Sequence, residues 1–141
     1  MSKRFICVGL MLAVGCGDAS PTAVAATVRL DALLKDQVRS LSVYVLGPRR
    51  TDGIFLTCSN LMDRAMAPDD SRVEALGGQD IAFTDPAGRA LDIANVEPGD
   101  NRLVYGEAFD AGGTAIANGC TDSVTVAAGS TVEVQLYLYP L

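Results

Sequence analysis

The strongest constraint in this 141-residue chain is a period of two in its hydrophobicity. Near the C-terminus Val132, Val134, Leu136 and Leu138 alternate with Glu133, Gln135, Tyr137 and Tyr139. Successive side chains of an extended strand point to opposite faces, so this run makes a strand with one buried and one wet face. Ser40 to Val45 repeats the pattern with Leu41, Val43 and Val45 inward, and Asp122 to Val126 does so again. Thr27–Leu30, Ile54–Thr57, Ile81–Thr84, Leu91–Val96 and Arg102–Phe109 are further expected strands. The last carries apolar groups on both sides, so alternation assigns it no wet face.

Turn residues punctuate these segments. Glu97-Pro98-Gly99-Asp100 combines a fixed proline φ with a glycine that accepts positive φ. Asp110-Ala111-Gly112-Gly113 and Ala127-Ala128-Gly129-Ser130 separate the later strands. Short strands so divided predict a small all-β sandwich. Helix is expected only as minor turns: Leu33–Arg39, and Ser59–Ala67 with Ser59 or Asn60 as N-cap, Asp63 in the first turn and Pro68 as the stop. Aromatic residues make up 6% of the chain, so the core must come from Val, Leu and Ile.

The N-terminus follows a different logic. Lys3 and Arg4 precede Phe5–Val14, a run of ten residues without charge, and then Gly15-Cys16-Gly17-Asp18. Ten helical residues span only about 15 Å, half of a bilayer core, which fits a signal segment and not a membrane span. Ala13-Val14-Gly15-Cys16 resembles the lipobox of bacterial lipoproteins, with Ala13 where that family usually has Leu. The resemblance implies a signal peptide over residues 1–15, acylation of Cys16 by diacylglyceryl and a fatty acid such as palmitate, a tether over 16–26 and a domain over 27–141. Gly17 after the cysteine follows the family's pattern for the outer membrane over the inner. The competing site, Ala23-Val24-Ala25, would leave an overlong polar stretch before the cut.

A second resemblance covers residues 91–139. Ile93-Ala94-Asn95-Val96-Glu97-Pro98-Gly99, the strand Leu103–Phe109 ending in Asp110-Ala111-Gly112-Gly113, and Val124-Thr125-Val126-Ala127-Ala128-Gly129 before the final strand look like the closing strands of Ig-like and prealbumin-like (carboxypeptidase-regulatory-like) modules. That resemblance implies a Greek-key β-sandwich and brings no catalytic residues with it.

Cys7 leaves with the signal peptide and Cys16 takes the lipid, so Cys58 and Cys120 remain as an even pair outside the cytoplasm. Neither C-x-x-C spacing nor histidine accompanies them, which predicts a disulfide and not a redox or zinc site. Asp69 and Asp70, with Asp63 and Asp80, lack the alternating ligands and central glycine of a calcium loop and read as a solvated acidic surface. No metal or cofactor is expected.

Function classes narrow by charge and by missing chemistry. The formal net charge is −6, and loss of residues 1–15 leaves nine basic against seventeen acidic residues. Such a surface repels nucleic acid. The chain contains no histidine, so serine and threonine lack their usual activating base. The expectation is a non-enzymatic accessory or interaction module of the cell envelope, held on the extracytoplasmic side of a membrane by its N-terminal lipid and serving an envelope protein or glycan. An alternative is a carbohydrate- or ligand-binding module that uses an outward tyrosine face made of Tyr44, Tyr137 and Tyr139.

Overall fold

The computed structural model describes residues 21–82 and 89–141. The lipobox and the signal segment lie outside the described residues. Among the described residues seven strands carry the fold: β1 (Ala23–Leu30), β2 (Ser40–Leu46), β3 (Ala75–Ala82), β4 (Arg89–Ala94), β5 (Gly99–Phe109), β6 (Ala115–Val126) and β7 (Thr131–Pro140). One five-residue helix, α1 (Cys58–Met62), interrupts the long connection from β2 to β3.

The strands form one sheet in the order β3-β2-β5-β6-β7-β1-β4. All pairings are antiparallel except that of β1 with β7, where Val24, Ala26 and Val28 lie opposite Val132, Val134 and Leu136. The sheet curls until its two ends nearly meet. A side chain at Gly77 of β3 would touch Ile93 of β4 at 3.0 Å and the following Val96 at 3.2 Å. The expected Greek-key sandwich is therefore corrected to a nearly closed, barrel-like sheet. β7 makes the difference: its length pairs with β1, while its last residues, Tyr139 and Pro140, pair with Asn118 and Ala117 of β6. One strand thus joins what a sandwich would keep as two sheets.

Local backbone features drive the curl. Between β5 and β6 the register shifts three times: Asn101 (φ 55°) and Ser123 (φ 57°) lie at the first two shifts, and the third falls between Ala108 and Phe109. Bulges of this kind bend a ribbon and increase its twist. Further along the same ribbon Gly106 faces Gly119. A Cβ at Gly119 would collide with the carbonyl of Tyr137, and one at Gly106 would lie 2.8 Å from Leu136. The glycine pair lets β7 cross close above β5 and β6.

The interior is aliphatic, as composition predicts. Leu41, Val43, Val45, Val104, Leu136 and Leu138 are essentially inaccessible, and among the described residues no aromatic ring belongs to this cluster. A second cluster lies outside the sheet, where the β2–β3 connection folds back over Leu103 and Tyr105 with Leu56, Leu61 and Met66. β5 is sandwiched between the two clusters. That explains why its sequence is apolar on both sides.

Several boundaries differ from expectation. β1 begins at Ala23, within the stretch expected to be tether, because Ala23, Val24 and Ala26 are buried between β7 and β4. Ile54–Thr57 is not a strand; Arg49 and Phe55 make an isolated bridge across a tight loop. Leu33–Arg39 is a succession of turns. In α1 the N-cap is Thr57, two or three residues earlier than the expected Ser59 or Asn60, and its hydroxyl accepts from the Asn60 amide while the Asn60 side chain accepts from the Thr57 amide. Asp63 is the C-cap and accepts from the Ser59 hydroxyl at 2.9 Å.

Candidate functional site

The β2–β3 connection shapes a cleft on the outer face of the sheet. Alternation along β2 points Ser42 and Tyr44 outward, and along β5 it points Tyr105, Glu107 and Phe109 outward. The register sets Tyr44 opposite Tyr105 and Ser42 opposite Glu107 on one side and Asp80 on the other. The two tyrosine rings stack with centroids 6.4 Å apart. Over them pass α1 and residues 64–69, enclosing a cleft of about 380 Å³ lined by Tyr44, Arg64, Asp69, Tyr105, Glu107 and Phe109 among others.

The disulfide Cys58–Cys120 fixes this roof, with Cα atoms 5.6 Å apart. It ties the first residue of α1 to β6, one strand beyond β5. A five-residue helix cannot hold itself together in water, so its position depends on this bridge, on the capping box and on buried Leu61. The expectation that Cys58 and Cys120 pair is met.

The floor is a hydrogen-bonded chain. Buried Asn118 donates through Nδ2 to the Met62 carbonyl at 3.0 Å and to the Tyr105 hydroxyl at 3.4 Å. The Tyr105 hydroxyl donates to Glu107 Oε1 at 3.1 Å. Burial pushes the Tyr105 hydroxyl pKa up to about 12, with the negative charge of Glu107 adding to the effect. Tyr44 is raised as well, chiefly by burial and further by the carboxylates of Asp80, Glu107 and Asp69. At the lip, Arg64 follows the C-cap of α1 with a φ of 58°, a left-handed position that glycine or asparagine fills at lower cost. The cleft therefore presents stacked aromatic rings, carboxylates and one guanidinium.

The three tyrosines expected to share a face are placed apart. Tyr44 is half covered in the cleft, whereas Tyr137 and Tyr139 stand on β7, 51% and 56% exposed. β5, β6 and the bridge to α1 lie between them. Sequence reasoning missed Tyr105 and Glu107 as cleft residues; their signal was the two-sided apolar pattern of β5. Of the acidic candidates, Asp70 is ion-paired with Arg72, Asp63 caps α1, and Asp69 and Asp80 flank Tyr44. Among the described residues no three His, Cys, Asp or Glu side chains converge as metal ligands.

A second depression, also about 380 Å³, lies beside the loop after β2 and is lined by Phe55, Leu56, Asn101 and Ser123 among others. Ile54 and Phe55 at this loop are 56% and 59% exposed, and the Arg49 guanidinium lies 4.5 Å from the centre of the Phe55 ring.

No family model and no curated protein matches this chain. Two solved structures resemble it. A pilus-presented adhesin aligns over 85% of this chain and 26% of its own, with 8% identity and a TM-score of 0.34. An alternative pilotin from the type II secretion system of Vibrio cholerae aligns over 86% of this chain and 98% of its own, with 11% identity and a TM-score of 0.50. The likeness to that pilotin is one of fold, and it extends over nearly the whole of the pilotin chain.

Proposed function

We propose that this protein is a lipid-anchored accessory module of the cell envelope that acts by binding a partner and not by catalysis. The observation that carries the reading is the fold shared with a secretion-system pilotin along almost all of that protein, in a chain whose Ala13-Val14-Gly15-Cys16 fits a lipobox. The competing cleavage after Ala25 is disfavoured by the fold. It would remove three residues of β1, including fully buried Val24, whereas cleavage before Cys16 leaves the strand intact. The covered tyrosine cleft is the surface best built for a protein partner, because its walls are braced by a disulfide and a buried hydrogen-bond chain.

Fractionation of the native envelope tests the reading. Wild type is expected in the membrane fraction and Cys16→Ala in the soluble fraction. A photo-crosslinking residue at position 44 is expected to capture a defined envelope protein that the same residue at position 137 does not. Equal partitioning of wild type and Cys16→Ala would remove the anchor from the proposal.

A further inference from the structure

We infer that the loop carrying Arg49, Ile54 and Phe55 rests on the lipid surface, so that this end of the barrel faces the membrane and the cleft faces sideways. The inference rests on the proposed anchor at Cys16. Its geometric starting point is Thr22, where the chain enters the fold. The Thr22 carbonyl accepts from the Val96 amide at 3.0 Å, its hydroxyl accepts from the Gly129 amide at 2.8 Å, and the Ala23 amide donates to Ser130 at 3.0 Å. The entry point is thus clamped between the turns that precede β5 and β7. Cys16 lies six residues earlier, and six extended residues reach at most about 20 Å. A lipid on that sulfur therefore holds this end of the barrel within that distance of the bilayer.

The same end carries the exposed loop. β2 runs antiparallel to β5 with Leu46 opposite Leu103, so the chain leaving β2 heads toward Gly99, the start of β5 beside the entry point. Phe55 accordingly shares its depression with Asn101 and Ser123, near the start of β5 and the end of β6. Leu33 and Leu141 are at the opposite end, with the Asp110–Thr114 turn.

The chemistry of the loop matches an interface between water and hydrocarbon. Two adjacent large apolar side chains project into solvent at its tip. The loop is locally basic in an acidic protein, and Arg50 pairs with Asp52 while Arg72 pairs with Asp70. Those pairs lower the charge that must approach the membrane. Arg49 keeps its guanidinium over the Phe55 ring, where it can meet a phosphate as the ring meets acyl chains.

The protein has no tryptophan, so a single one reports on its own surroundings. Mature acylated Phe55→Trp and Leu33→Trp would be reconstituted in phosphatidylethanolamine–phosphatidylglycerol vesicles with and without brominated acyl chains. The expected result is a blue-shifted Phe55→Trp emission that brominated lipid quenches, and a Leu33→Trp emission that it does not. Equal insensitivity of both variants on acylated protein overturns the lipid contact and leaves the anchor standing. A blue shift of Phe55→Trp in native membranes without quenching by brominated lipid assigns the loop to a protein partner and also overturns it. Absence of acyl mass on Cys16 removes both the anchor and this inference.

Discussion

Removal of the disulfide tests how the cleft is built. Cys58 and Cys120 are 62 residues apart, and closing a loop of that length lowers the unfolded chain's entropy by about 4 kcal/mol at room temperature in the chain model. Their substitution to alanine leaves the inner core untouched, because both sulfurs belong to the outer cluster. With a urea dependence of about 1.5 kcal/mol per molar for a domain of this size, the midpoint should fall by roughly 2–3 M. The assay is urea unfolding of wild type, of wild type with reductant, and of Cys58→Ala/Cys120→Ala. Reduced wild type and the variant should coincide. Hydrogen exchange should show α1 losing protection first, since the helix is too short to persist without its clip. A midpoint shift below about 0.5 M would refute the reasoning, as would an α1 that stays as protected as β5.

Gly119→Ala puts a methyl group into the Tyr137 carbonyl and should cost about 3 kcal/mol or prevent folding, read from urea unfolding. Arg64→Gly relieves a left-handed φ and should raise stability by up to about 1 kcal/mol; a loss would show that the arginine side chain contributes more than the strain costs. Leu61→Ala empties a fully buried site under the roof and should cost about 2–5 kcal/mol in the same unfolding assay. Burial pushes the Tyr105 hydroxyl from its ordinary value near 10 up to about 12 in the folded protein, so its contribution is complete below pH 10 and should be lost as pH rises toward 12. The Tyr105 share of the fall in stability is at most about 1.4 kcal/mol per pH unit, reduced by solvent screening, and Tyr105→Phe should make the slope shallower.

Much of the fold is legible in the sequence because alternation is a local property. The final strand, β2 and the turns at Pro98 and Gly129 can be read directly from neighbouring residues. Closure of the sheet is not local. It depends on β7 pairing with both β1 and β6, and no short pattern distinguishes that arrangement from two stacked sheets. Thr27–Leu30 was legible as a strand, but the first half of β1 was hidden by alanines at 23, 25 and 26, weak strand formers whose small size suits a tightly packed parallel neighbour. The cleft was legible only in part. The cysteine pair could be inferred from an even count in an exported chain, but Tyr44 and Tyr105 meet across strands more than fifty residues apart in sequence. The two apolar faces of β5 were the one trace of the covering layer.

The chemical state of the mature N-terminus decides whether the protein is held at a membrane. Mass spectrometry of protein purified from its native envelope should find Cys16 as the first residue, carrying a thioether-linked diacylglyceryl group. An unmodified chain beginning at Met1 or at Ala26 would contradict it.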